Sequence, residues 1–496
     1  MLDLNEIQGL VFRAYGDLRR SAYLLLTVTD RTQAAQTLKG LIDGVQTAGH
    51  KSRHRPHARG DGSMRAPAHL RDYPGLRINI ALTHEGLGAL GYPNQTLDDF
   101  PAAFSFGMAE PPQRNRVLGD TGKSDPRHWT FRDRQGHVLL LVYGRSQEDS
   151  EDEHEEFTTQ LEAFRKSGLA GFAEVHLLKG YLKRDKKEHF GFRDGLSQPY
   201  IEGTDLSGIA ENAIGPESII KPGEFILGYE NEFGCLPHSP RVPVASDVGD
   251  HLKPSVAVPS KRRALAIPEE DSRDFGRNGT YLVLRKLEQH VEAFHAYASD
   301  KANGDPEEAK RVEAKMVGRW HDGTPITLAS HAPNPELSGE NRFAYAEHDI
   351  HGVGCPVGAH IRRGFPRDAK VDQEKGMTRE EALRLTRQHR IIRRGRLYKE
   401  EDEQGVLFMC LNTNIERQFE FVQHTWCNAE GFSGLRDEKD PLVGDQPEGG
   451  GRFTIPQPLL RKRLADIPRF VTMRGGGYFF LPSISALRYL AALSET

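Results

Sequence analysis

The chain has 496 residues, 37% of them apolar and 27% charged, with 66 Lys+Arg against 70 Asp+Glu. That length is too great for one simple core and asks for two or three domains. The composition is that of a globular chain, and a net charge of −4 lacks the basic footprint of a nucleic-acid binder.

The opening "MLDLNEIQGLVFRAYG" has neither a basic start nor a long apolar stretch, so no export signal is expected. No window approaches 18 uninterrupted apolar residues, and no membrane helix is expected. "AYLLLTVTD" (22–30) is an apolar run of strand length, and residues 31–48 carry a helical period. His50, His54 and His57 follow in "HKSRHRPHARGDG", where Pro56 and the glycines predict a basic surface loop rather than a metal-binding helix. "LRINIALTH" (76–84) alternates as a half-buried strand. "LGDTGKSD" (118–125) imitates a phosphate loop, but Val117 stands where the first glycine is required. "HVLLLVYG" (137–144) predicts a strand, the acidic run 148–157 a solvated helix start favoured by the helix dipole, and "FAEVHLLKGYL" (172–182) another strand.

Next comes "HFGFRDGLSQPYIEG" (189–203), with Asp194 placed between Arg193 and Gly195. Asp and Gly are ordinary turn residues. The same stretch also reads as a positioned acid whose flanks, Phe190 and Phe192, dry it. Loop-rich sequence to about residue 270 separates two halves, 1–250 and 251–496. The second half repeats the alternation, with a strand running into a helix (279–302) and a helix with an acidic start and a Gly stop (305–323). In "HDIHGVGCPVGAHIRRGFPRDA" (348–369), His360 follows Gly358 and Ala359 and precedes Arg362, Arg363 and Arg367. Small residues admit a flat macrocycle and arginines pair with carboxylates, but a core histidine beside a basic stripe fits equally. "HRIIRRGRLY" (389–398) predicts a strand in which Arg393 and Arg394 point to opposite faces. A strand at 404–414 and a helix at 415–426 follow. Cys235, Cys355, Cys410 and Cys427 form no CxxC pair, which argues against a disulfide framework and a zinc site and points to the cytoplasm.

"GFRDGLSQP" resembles the GxxDG signature of dye-decolorizing (DyP-type) haem peroxidases. "DLNEIQG", "LGDTGKSDPRHW", "GEFILGYENE", "DFGRNGTYLVLRKLEQ", "MVGRWHDGTP", "GCPVGAHIRRGFPRD", "RIIRRGRLY" and "IERQFEFVQHTW" fall in that family's order over nearly the whole chain. The length resembles its larger bacterial and fungal members. The resemblance implies an α+β fold of two ferredoxin-like domains with antiparallel sheets, a dimeric α+β barrel, with haem b in the C-terminal one. It implies Asp194 as the distal acid and Arg393 as the distal arginine, both catalytic, and His360 as the iron ligand. Arg363 would meet a haem propionate, Phe408 would line the distal side, and Asp440 would accept the second imidazole N–H. It further implies reduction of hydrogen peroxide through a ferryl intermediate and one-electron oxidation of dyes or other aromatic donors. Trp129, Trp320 and Trp426 are candidates to carry electrons, although core packing explains them as well. A haem-handling protein of the same fold is the second expectation. Phe365 stands where the family often has Asn, and Arg396 and Leu397 where it often has Ile-Pro.

Overall fold

The computed structural model describes residues 1–49, 73, 75–110, 112–145, 155–205, 214–256, 269–370, 376–447 and 449–493. The loop with His50, His54 and His57 and most of the acidic run therefore lie outside the described residues.

Two sets of four strands carry the fold. In the first half they are β1 (Arg20–Val28), β2 (Arg77–Leu82), β3 (Val138–Gly144) and β4 (Phe172–Tyr181), in the spatial order β4-β1-β3-β2. In the second they are β5 (Thr280–Gln289), β6 (Arg396–Lys399), β7 (Gln404–Asn412) and β8 (Val471–Leu481), in the order β8-β5-β7-β6. By rank along the chain both orders are 4-1-3-2, which is the ferredoxin-like arrangement, and all these pairings are antiparallel. The two sheets meet where Leu397 faces Tyr181 and where Phe480 faces Leu82, so the eight strands close into one barrel.

Strand alternation sorts the apolar residues. Leu25, Leu141, Leu284, Leu407, Met409 and Phe479 point into the barrel. Leu24, Leu140, Val283 and Phe480 point outward, under the covering helices. Those helices include α1 (Arg31–Ile42), α2 (Glu155–Ser167), α3 (Val291–Lys301) and α4 (Pro306–Val317). Their ends follow from the sequence. Asp30 caps α1 by accepting the Gln33 N–H at 2.9 Å, and Asp305 caps α4 by accepting those of Glu307 and Glu308. Gly318, at φ 106°, stops α4 in the left-handed conformation that glycine tolerates.

One stretch differs from the sequence reading. "RIIRRGRLY" does not form one strand: Ile392–Arg393 pairs with β7 over two residues, and β6 begins afresh at Arg396. The closing strand β8, to which the sequence reading assigns no element, carries a glycine run in which Gly475 and Gly477 allow close packing. A Cβ on them would sit 2.5 Å from the Phe131 ring and 2.3 Å from the Asp133 side chain.

Candidate active site

His360 opens the short helix α5 (His360–Gly364), which places its ring at a helix start. Its Nδ1 donates to Oδ2 of Asp440 at 2.9 Å. Asp440 is fully buried, and its Oδ1 accepts the N–H groups of Leu442 (2.9 Å) and Val443 (3.0 Å). Burial pushes the Asp440 carboxyl up, but His360, the Val443 N–H and Arg363 together hold it below the ordinary carboxylate range. Burial likewise pulls the His360 imidazole down, and Asp440 more than reverses this. His360 lies deep in the chain, yet 31% of its side chain is open. An imidazole of that kind lines an internal space, and among the described residues no hydrogen-bond partner engages its Nε2.

Arg393 reaches the same space from the two-residue strand. It lies opposite Cys410 on β7, so it shares the outer face of the barrel with Cys410 and, two residues along, with Phe408. Its positive charge is close enough to act on His360. Arg393 Nη2 donates to the Leu196 carbonyl at 2.7 Å, and Nη1 lies 3.6 Å from Oδ1 of Asp194. Asp194 sits in a turn whose shape comes from its neighbours. Its N–H donates to the Lys186 carbonyl, its Oδ1 takes the Gly195 N–H at 2.6 Å, and Gly195 holds φ 80°. The turn thus sets a carboxylate beside Arg393, whose charge also reaches the His360 imidazole.

Sequence reasoning needs correcting at two points. Arg363 is fully buried and donates to the carbonyls of Gly358, Trp426, Ala429 and Glu438, at 2.6–3.2 Å. It is spent on tying α5 to the segment that carries Asp440, not on meeting a propionate. Phe190 and Phe192 do not dry Asp194 either. Both pack into a core cluster around Phe294, with ring centroids 4.6 and 6.3 Å from it, while 48% of the Asp194 side chain stays open. Trp129, Trp320 and Trp426 are all buried.

Other residues shape the site without a sequence signal strong enough to find them. Glu188 accepts the N–H groups of Phe190 (2.9 Å) and Phe192 (2.8 Å) and the Gln289 amide, and so builds the approach to Asp194. Burial pushes its carboxyl up. Beyond Asp194, Ser197 adopts φ 60° and is gripped by two arginines: Arg390 donates to its carbonyl (2.9 Å) and Arg367 to its hydroxyl (3.3 Å). Phe365 lies under Arg390, 3.6 Å from guanidinium carbon to ring centroid. Arg319 and Arg390 each feel the charges of Arg367 and Arg393, while Glu217 and Asp194 are the carboxylates paired with this group among the described residues. Burial first, then the neighbouring guanidinium charges, lowers Arg390 to about 9, and its buried Nε has no partner. Such an excess of buried cation calls for further anions.

Residues 6–180 match the family described as the DyP dimeric alpha+beta barrel domain. The chain is 27% identical over 474 residues to a dye-decolorizing peroxidase of Mycena epipterygia, covering 84% of this chain and 77% of that one. It is 31% identical over 332 residues to the multifunctional dye peroxidase DyP2 of an Amycolatopsis species, covering 62% and 61%. Among solved structures, an ancestral D-type dye-decolorizing peroxidase superposes with TM-score 0.71 at 27% identity, over 98% of each chain. A dye-decolorizing peroxidase in complex with 2,6-dimethoxyphenol superposes with TM-score 0.72 at 24% identity, over 99% of this chain and all of that one.

Proposed function

Since the chain belongs to the DyP-type peroxidase family and is an enzyme of that type, we propose that it holds haem b on His360 and reduces hydrogen peroxide while oxidising dyes or other aromatic donors. The observation that carries this reading is the deep, partly open His360, tied through Nδ1 to buried Asp440 and within electrostatic reach of Arg393, which in turn faces Asp194. The donor set fits haem. An imidazole with one nitrogen engaged offers the other as an axial ligand. The arginine group with its orphaned Arg390 Nε suits the propionate carboxylates. Phe408 shares the face of Arg393 and would wall the same space.

Bound there, haem would supply the iron that takes two oxidising equivalents from peroxide and passes them on one at a time. The chain's own residues have three tasks. Asp440 keeps the proton on Nδ1 of His360 and makes the ring a stronger electron donor through Nε2. Asp194 moves a proton from the inner to the outer oxygen of peroxide, as base and then as acid. Its Oδ1 is occupied by Gly195 and faces Arg393, which leaves Oδ2 for the proton. Arg393, anchored on the Leu196 carbonyl, holds positive charge where negative charge grows on the departing oxygen.

The test is optical. The purified protein is expected to show a Soret band that shifts when hydrogen peroxide is added and returns with an aromatic donor. A Soret band without turnover would favour the haem-handling alternative, and no haem uptake at all would sink both. No helix among the described residues is long and apolar enough to cross a membrane. We place the enzyme in the cytoplasm because Cys235, Cys355, Cys410 and Cys427 are all free thiols.

A further inference from the structure

The two-residue strand Ile392–Arg393 pairs with β7 on one side, and among the described residues no strand pairs with its other side. Successive N–H groups of an antiparallel strand point alternately toward the partner and away from it. Arg394 donates its N–H to the Met409 carbonyl of β7 at 2.8 Å. The N–H of Arg393 therefore points to the open edge, where a sheet would place the carbonyl of a further strand. Gln198 supplies the missing acceptor: the Arg393 N–H donates to its Oε1 at 3.1 Å. A backbone donor requires such a partner wherever water is kept out.

Gln198 follows Asp194 in the segment "DGLSQP" (194–199), which holds Arg393 at two points. Gln198 holds the root of the side chain, through the main chain, and the Leu196 carbonyl holds its tip, 2.7 Å from Nη2. The segment is itself fixed. Arg390 donates to the Ser197 carbonyl at 2.9 Å and Arg367 to the Ser197 hydroxyl at 3.3 Å. Pro199 is buried and disfavours the helical region for the residue before it, which is Gln198. The contact between Asp194 and Arg393 needs this help. At 3.6 Å, with 48% and 35% of the two side chains open, it is too weak to align itself.

We propose that Gln198 is a positioning residue for Arg393. Its amide oxygen fixes the main chain from which the Arg393 side chain departs, so that the guanidinium and Asp194 meet the peroxide in one register. The role rests on the peroxidase reading above. Gln198 acts through Arg393 and not on the reacting atoms. With the root free, the tie to Leu196 lets the guanidinium swing about one hydrogen bond, out of line with Asp194. Misplacement by about 1 Å costs on the order of 10²-fold in rate. The accepting oxygen is what matters, so glutamate in its place keeps the function. Methionine, of similar length but without a comparable acceptor, does not.

The holoenzyme tests this in Q198M and Q198E. Hydrogen exchange at the Arg393 amide, resolved by fragmentation mass spectrometry, is expected to be about fivefold or more faster in Q198M and slow again in Q198E. The stopped-flow reaction with peroxide, at matched Soret absorbance, is expected to be about tenfold or more slower in Q198M and to recover most of the wild-type rate in Q198E. If Q198M fails to fold, Q198A replaces it with the same expectations. Equal exchange at Arg393 in wild type and Q198M overturns the proposal, while normal wild-type turnover leaves the peroxidase reading standing. Faster exchange with an unchanged peroxide rate overturns it too, as does a Q198E variant as slow and as unprotected as Q198M. A wild type that binds haem but does not react with peroxide ends the peroxidase reading and, with it, the role assigned to Gln198, whatever the exchange shows.

Discussion

Replacing Asp194 with Asn separates chemistry from architecture at this site. Asn keeps an oxygen for the Gly195 N–H, so the turn should survive. What disappears is the ability to take and return a proton. General acid–base catalysis contributes about 10²–10⁴-fold, or roughly 2.7–5.4 kcal/mol of barrier at about 1.36 kcal/mol per tenfold. The fold loses far less. The Arg393–Asp194 contact is 3.6 Å, with 35% and 48% of the two side chains open, and an exposed pair of that kind is worth less than about 1 kcal/mol. D194N should therefore slow the reaction with peroxide by about 100-fold or more while its Tm moves little. Stopped-flow rates at matched Soret absorbance, beside a thermal melt, make the comparison. Unchanged rates across the pH range would refute the role of Asp194. A slow variant that has also lost haem or several degrees of stability would show that the turn, not the proton, was at stake.

H360A should retain little haem after gel filtration, read as the Soret-to-protein absorbance ratio; full occupancy would remove His360 as the ligand. Arg367 and Glu217 form a buried pair at 2.6 Å, each no more than 4% open. R367L strands that carboxylate and should cost about 3–5 kcal/mol, part of it recovered in R367L/E217Q; urea midpoints that show no recovery would deny the pair its importance. Glu313 accepts a hydrogen bond from His295 Nδ1 at 2.7 Å and lies 2.9 Å from His321 Nε2. Burial raises the Glu313 carboxyl, but the two histidines outweigh it and leave it lowered, while His295 is raised chiefly by its bond to Glu313. The Glu313 contribution is present above the ordinary value of 4.5 and is lost as pH falls through the lower folded value. The His295 contribution is present below the ordinary 6.5 and is lost as pH rises through its raised folded value. E313Q should therefore flatten the Tm–pH profile on both sides of that window, and an unaltered profile would contradict the pairing.

Much of the fold is legible because burial on a sheet leaves a period in the sequence. "LRINIALTH" and "HVLLLVYG" both become barrel strands, and Asp305 marks the start of α4, but the helix ends at Gly318 rather than at the expected residue 323. The sequence reading assigns no element to β8, whose glycines serve close packing against Phe131 and Asp133 rather than leaving an alternating apolar pattern. At the site, the meeting of Asp194, Arg393, His360 and Asp440 was readable only through a family resemblance. Composition says nothing about which distant residues share a cavity. Arg363 shows the limit of such transfer: adjacency to His360 placed it near haem, but four backbone carbonyls claim it. The bridging of the Asp194 turn by Arg367 and Arg390 was invisible, since Ser197 and its left-handed backbone carry no distinctive pattern.

The barrel's two seams also set an order of assembly. Within each half, strands pair over long stretches, as β5 does with β8 from Thr280 to Gln289, whereas strand pairing between the halves is short: Leu397 with Tyr181, Phe480 with Leu82, and Gly475 and Gly476 with Phe131 and Arg132. Joining distant segments costs loop-closure entropy, so the halves are expected to form their own sheets before they dock. His360, Arg393 and Asp440 belong to the second half, and Asp194 comes from the first. A chain arrested before docking would carry the ligand and its carboxylate partner without the acid. If His360 holds haem as proposed, such a species would take it up, turn red and leave peroxide almost untouched, and colour alone would then be a poor measure of how much of a preparation has finished folding.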